Sequence, residues 1–268
     1  EAVRKLLAKA KPLNAEEVPV QKGLGRVLRE DIRSPFSIPP FHKAAVDGYA
    51  VRSVDVEKAA RTEPVVLKVL EEISAGRVGR HHLKKGTAAR IVRGAPIPGG
   101  ADAVVTAGDT GPLEDGGVNI QAPAARGANI DPAGEDVKRG QRVLTAGTLL
   151  HPAAMGMIAA TGRKRVKVSR RPRVAVLSTG SEVVAPGAKR KPAQIFDANG
   201  CSLTGLAQAR GAEARFLGIV PDRPGTLEKK IRDAGEFDVL VLSGGVGTGD
   251  DVLVQDLLPG LGVRKLFW

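Results

Sequence analysis

The chain has 268 residues, 42% of them hydrophobic, one cysteine and a formal net charge of +12. That length and apolar content suffice to bury a core in two or three domains and exclude a disordered tail, and a single cysteine excludes a disulfide framework. Glu1 to Lys11 mix acids and bases and no uncharged apolar run is long enough to span a bilayer, so neither a signal-peptide core nor a membrane span is read, and a cytoplasmic protein is expected.

Ala2, Val3, Leu6 and Leu7 recur at helical spacing, and a second short pattern around Val18 to Leu28 leads into the proline-marked stretch Ser34 to Pro40. The expectation is an extended, largely helical opening segment. From Pro64 to Leu150 the signal changes to short apolar or alternating runs cut by Gly and Pro, which predicts a small β-rich domain. Pro152 to Ala160 reads as a helix, with Pro in its first turn and Gly162 just past its end.

Beyond Arg171 the pattern is strand, glycine turn, helix near 202–210, strand 214–220, helix near 226–234 and strand again. This alternation predicts a parallel sheet, and the class expected for the whole is α/β multidomain. Two of the strands are continuous apolar runs that end in a glycine turn with acids: Val174 to Glu182, and Val239 to Asp251. Parallel strands open their carboxyl ends onto one edge, so the two loops should meet. Glycines admit backbone N–H groups close to a phosphate, and Glu182, Asp250 and Asp251 supply hard oxygen ligands for a divalent cation. The pattern points to a site for an anionic cofactor. It is not a Walker loop, for no Gly-Lys-Ser/Thr follows the glycines, and Gly245-Val-Gly-Thr-Gly-Asp250 has the wrong spacing for a dinucleotide fingerprint.

Seven basic residues between Arg163 and Arg173, with Lys189, Arg190 and Lys191, concentrate the positive charge. Aromatic content is 3%, which leaves little to stack on bases, so a solvated basic face is expected and no nucleic-acid partner. His42 and His151 are isolated and the neighbours His81 and His82 point apart on a strand, so no zinc site is expected. Cys201 reads as a buried structural thiol.

Seven ordered motifs then carry a family resemblance. They are Pro39-Pro-Phe-His-Lys-Ala-Ala-Val-Asp-Gly-Tyr-Ala-Val-Arg52, Ile91-Val-Arg-Gly-Ala-Pro-Ile-Pro98 with Ala101-Asp-Ala-Val-Val105, Gly134-Glu-Asp136, Leu177-Ser-Thr-Gly-Ser-Glu182, Asp197-Ala-Asn199, Pro221-Asp222 and Ser243-Gly-Gly-Val246. In this register the chain resembles the molybdopterin molybdenumtransferases, MoeA and the E domain of gephyrin.

The resemblance implies an elongated domain formed by 1–46 and 141–169, a β-rich domain of 47–140 inserted into it, and a molybdopterin-binding α/β domain of 170–268. It implies insertion of molybdate into adenylylated molybdopterin with release of AMP, assisted by Mg²⁺. It also implies a homodimer, and contact with the molybdopterin adenylyltransferase. Matched position by position, Asp47, Asp136, Glu182 and Asp222 take the catalytic acidic places, the first two acting across the dimer. Ser178, Thr179, Gly180, Asn199, Ser243, Gly244 and Gly245 take the pterin-phosphate cradle. Glu182, Asp222, Asp250 and Asp251 take the metal.

The chain departs from the family pattern in four ways. Arg93 stands where a Thr is usual, Ala44 where a Ser is usual, and Val252 where an Asp is usual. The family's Pro-Gly-Lys-Pro segment and C-terminal β domain fall beyond Trp268. A second reading is therefore a pterin-binding sibling or scaffold without turnover. Locally, Asp47-Gly48 also reads as a turn pair and Asp222 as a cap for the helix that follows it.

Overall fold

The structure is a computed structural model that describes residues 1–244 and 253–267. It divides into two compact units, Glu1–Glu30 with the chain from Thr145 onward, and Asp31–Leu144. Among the described residues no helix is long and apolar enough to cross a membrane.

The unit Asp31–Leu144 is built on a six-stranded sheet. Its spatial order is Ala103–Thr106, Gly48–Val51, Thr87–Ile91, Val65–Ile73, Gly117–Ile120 and Thr110–Pro112. Only Val65–Ile73 and Thr87–Ile91 run parallel. Alternate side chains of a strand leave by opposite faces, and both faces of this sheet are covered. Tyr49, Val51, Val105, Val118 and Ile120 belong to one core. Ala50, Ala89, Ile91 and Val104 belong to another. This is why Gly48–Val51 is buried at every position. Gly48 is required by close approach rather than by a turn, because a Cβ there would lie 1.9 Å from the Val105 carbonyl oxygen.

In the other unit the opening segment is less helical than its spacing suggests. The helix is confined to Ala2–Leu7. The Val18–Leu28 pattern is not a helix but the end of the strand Ala15–Pro19 and one 3-10 turn, Val20–Lys22. Pro19 and Gly25, the latter at φ +70°, are poor helix residues, and the strand Arg165–Ser169 offers Ala15–Pro19 an antiparallel partner. Pro152–Ala160 is helical as its punctuation predicts, and the His151 side chain caps it by accepting from the Ala154 N–H.

The α/β part is a three-stranded parallel sheet in the order Glu213–Val220, Arg173–Thr179, Val239–Ser243. The helices Asn199–Ala209 and Pro224–Asp233 form the crossovers and Leu253–Gly260 follows the last strand. The central strand is buried from Val174 to Thr179, as a strand flanked on both edges and covered on both faces must be. Leu177, Val220 and Leu227 anchor its core, with Leu217, Ile231, Leu240 and Leu242 packed around them.

Among the described residues, three of the seven basic residues in the run that precedes this sheet are ion-paired. Arg163 meets Glu30 at 3.0 Å and Arg165 meets Glu17 at 3.4 Å. Arg170 grips Asp238 through both carboxylate oxygens at 2.5 and 2.6 Å, and the Arg173 N–H adds a third bond at 2.7 Å. The Arg170 guanidinium and that N–H hold the Asp238 carboxyl down at about 2.

Candidate functional site

The three parallel strands turn at one edge of the sheet, through Gly180–Glu182, Pro221–Asp222 and Gly244. Backbone and side-chain bonds tie the first two turns together. The Gly180 N–H donates to the Val220 carbonyl at 3.1 Å and the Ser181 N–H to an Asp222 carboxylate oxygen at 2.9 Å. The Asp222 N–H returns a bond to the Ser181 hydroxyl at 3.3 Å. Asp222 therefore does not cap the next helix, whose N-cap is Arg223 with no side-chain bond; it caps the neighbouring glycine turn instead.

The third turn is fixed by contact. Gly244 sits at φ +101°, and a Cβ there would stand 2.3 Å from the Thr179 carbonyl oxygen. Only glycine combines that conformation with that approach. The Thr179 hydroxyl donates to the Ser243 carbonyl at 3.4 Å, and the Asn199 amide to the Ser243 hydroxyl at 2.8 Å.

Beneath these groups lies Asp197, buried to 4% exposure. The Ser178 hydroxyl donates to its carboxylate, 3.0 Å from each oxygen, and the Gly200 N–H donates at 2.9 Å. Its own N–H is bound to the Val184 carbonyl at 2.9 Å. A buried carboxylate with this many donors is satisfied and rigid. It orients the Ser178 hydroxyl and the first turn of the helix Asn199–Ala209 at once. The sequence pattern quotes Asp197 inside a motif but gives it no role, because an acid two residues before a helix start looks like an ordinary loop acid until its burial is known.

Ser178, Thr179, Glu182, Asp197, Asn199, Ser243 and Gly244 are among the residues that line a cleft of about 210 Å³. Hydroxyls, an amide and glycine backbone converge there, which is the equipment for binding a phosphate monoester. Larger hollows of about 620, 570 and 560 Å³ lie in the β-rich unit without such a convergence of hydroxyls.

The structure thus brings together Ser178, Thr179, Gly180, Glu182, Asn199, Asp222, Ser243 and Gly244 at one edge. Glu182 is exposed and its carboxylate has no partner among the described residues. Asp47 and Asp136 belong to the other unit. One Asp47 oxygen accepts from the Arg93 N–H at 2.6 Å, so this carboxylate shapes the turn that carries the departing Arg93. Asp136 is exposed; its N–H reaches the Ile38 carbonyl at 3.0 Å and its carboxylate has no partner among the described residues. Gly245, Asp250 and Asp251 lie outside the described residues. Among the described residues, no group of three or more His, Cys, Asp and Glu converges in a way that would hold a metal ion. Cys201, read as buried, is exposed. The helix buries Gly200 and half-buries Leu203, Thr204 and Ala207, and Cys201 falls about 100° away from Gly200 around the axis.

Comparison with known proteins places the whole chain in one family. Residues 1–162 match the MoeA N-terminal region, domains I and II, and residues 175–268 match a probable molybdopterin binding domain. Molybdopterin molybdenumtransferase 2 of Mycobacterium tuberculosis is 39% identical over 243 residues, which cover 89% of this chain and 59% of the relative. A molybdopterin molybdenumtransferase of Staphylococcus aureus is 34% identical over all 268 residues and 64% of its own length. The crystal structure of a molybdopterin biosynthesis MoeA protein from Pyrococcus horikoshii superposes with a TM-score of 0.83 at 39% identity, over 96% of this chain and 65% of that one. The chain spans about six-tenths of the length of these curated relatives. By these matches, the chain belongs to the MoeA family of molybdopterin molybdenumtransferases.

Proposed function

We propose that the chain acts in molybdenum cofactor biosynthesis, taking adenylylated molybdopterin and molybdate, releasing AMP and leaving molybdenum on the dithiolene sulfurs. The observation that carries this reading is the cleft in which Ser178, Thr179, Asn199, Ser243 and Gly244 converge over the buried Asp197. A molybdopterin phosphate is a doubly charged oxyanion, and the donors left for it are the Ser243 hydroxyl, which accepts from Asn199 and keeps its own proton, the second Asn199 amide hydrogen and the backbone of the glycine turns. Asp197 fixes the Ser178 hydroxyl and the start of the helix that carries Asn199, and the Asp222–Ser181 bonds fix the Gly180 turn.

Mg²⁺ fits the donor chemistry of this edge. Among the described residues the Glu182 carboxylate has no partner and only one Asp222 oxygen is bound, by the Ser181 N–H; Asp250 and Asp251, which follow in the sequence, lie outside the described residues. These four would hold the cation, which would neutralise charge on the phosphoanhydride as AMP departs. Asp47 and Asp136 would act from a second copy in a homodimer, consistent with two carboxylates that the α/β unit does not contain. The adenylyltransferase that makes the substrate would be the natural donor partner. The division into 1–46 with 141–169, 47–140 and 170–268 is part of the same proposal.

A pterin-binding sibling without turnover is the second reading. Arg93 favours it, because a long cation on the turn held by Asp47 replaces a short hydroxyl. AMP release from adenylylated molybdopterin on adding molybdate and Mg²⁺ separates the two. Molybdate-dependent release supports the transferase, tight binding without release supports the sibling, and no binding rejects both.

A further inference from the structure

Part of the cleft wall is apolar, and a phosphate has no use for it. Val183–Val184 and Ile195–Phe196 form a short parallel ribbon, with Val183 beside Ile195 and Val184 beside Phe196. Its ends are pinned, since the Ile195 N–H donates to the Glu182 carbonyl at 2.9 Å and the next residue but one is the buried Asp197. Val183, Ile195 and Phe196 line the cleft beside the hydroxyl cradle. Phe196 is 46% exposed and Ile195 57%, so a phenyl ring and an aliphatic neighbour face open space one residue before the carboxylate that orders the phosphate donors.

Scattered surface phenylalanines need no explanation. This one lines the cleft, on a backbone fixed at both ends. An apolar ring beside an oxyanion cradle suits a ligand that is anionic at one end and flat at the other. We propose that Phe196 is the stacking surface for the fused pterin ring of the ligand whose phosphate occupies the cradle, and that it selects a pterin phosphate over a phosphate lacking a ring. The inference rests on the cofactor reading above and adds a residue that sets specificity.

The test uses the chain as it stands, with an oxidised, fluorescent pterin monophosphate as probe and inorganic phosphate as competitor. Phe196→Leu keeps the apolar bulk and removes the ring face; it should lose about tenfold in affinity for the pterin, the size of one aromatic stacking contact. Its competition constant for inorganic phosphate should stay that of the unaltered chain. Phe196→Trp should bind at least as tightly and quench the bound pterin's fluorescence. Equal pterin affinity in Phe196→Leu and the unaltered chain overturns the stacking role while leaving the cofactor reading intact. Failure of the unaltered chain to bind the pterin overturns the cofactor reading and this inference together.

Discussion

The two units use carboxylates in opposite ways. In the β-rich unit Asp47 and Asp136 are exposed on loops, and Asp47 does no more locally than cap the Arg93 turn. In the α/β unit Asp197 is buried under the cleft and orders both a hydroxyl and a helix start. A mostly antiparallel sheet with two covered faces spends its interior on apolar packing, whereas a parallel sheet gathers its strand ends at one edge and can seat a polar network there. For the stability of the fold, the same residue type is therefore dispensable in one unit and structural in the other.

The sharpest way to break that contrast is to delete both acids. Asp197→Ala strands the Ser178 hydroxyl and the Gly200 N–H in a buried site, and should cost about 3 kcal/mol in urea unfolding and abolish phosphate binding. Asp47→Ala loses one exposed cap and should cost about 1 kcal/mol. Similar losses in the two variants would remove the distinction between a buried organising acid and an exposed one.

How much of this the sequence could reveal follows the same divide. The runs Val174 to Leu177 and Val239 to Leu242 are apolar without interruption, the first because its strand is covered on both faces, and the glycine turns that follow announce one shared edge. Gly244 was legible for that reason, whereas Asn199 was expected only from the family resemblance. Asp197 was not legible, since its importance comes from burial, and no spacing rule distinguishes it from a loop acid. The opening segment misleads for a related reason. Val18 sits near a strand end opposite Val166, and the pairing partner lies far along the chain, out of reach of any local period.

The opposite end of the parallel sheet gives a second test, smaller and controlled by pH. Arg170 and the Arg173 N–H hold the Asp238 carboxyl at about 2, below the ordinary value of about 3.9 for an aspartate. A depressed folded-state pKa contributes stability that is complete above the unfolded value and is lost as pH falls through the folded one. The chain should therefore lose stability between about pH 4 and pH 2 through this pair. Asp238→Asn should flatten that part of the pH–stability curve and leave phosphate binding at pH 7 unchanged. An unaltered acid slope would mean the pair does not couple the sheet to the basic run before it.

The smallest contrast lies in two turns, one in each unit, where a residue other than glycine takes a left-handed conformation. Asn129 has φ +56° and its side-chain amide donates to the Val104 carbonyl at 2.8 Å. Ala193 has φ +66° in the loop between the two strands of the cleft-wall ribbon, and an alanine side chain has no bond to give in return. Asparagine tolerates this region and alanine does not, at a cost of about 1 kcal/mol. Ala193→Gly relieves that strain but frees the unfolded chain, so the net gain should be about 0.5 kcal/mol. Asn129→Gly trades a hydrogen bond for nothing and should lose about 1 kcal/mol. Opposite signs in thermal unfolding for glycine at the two positions would show that the cleft-wall loop carries strain its counterpart in the β-rich unit has offset with a side chain.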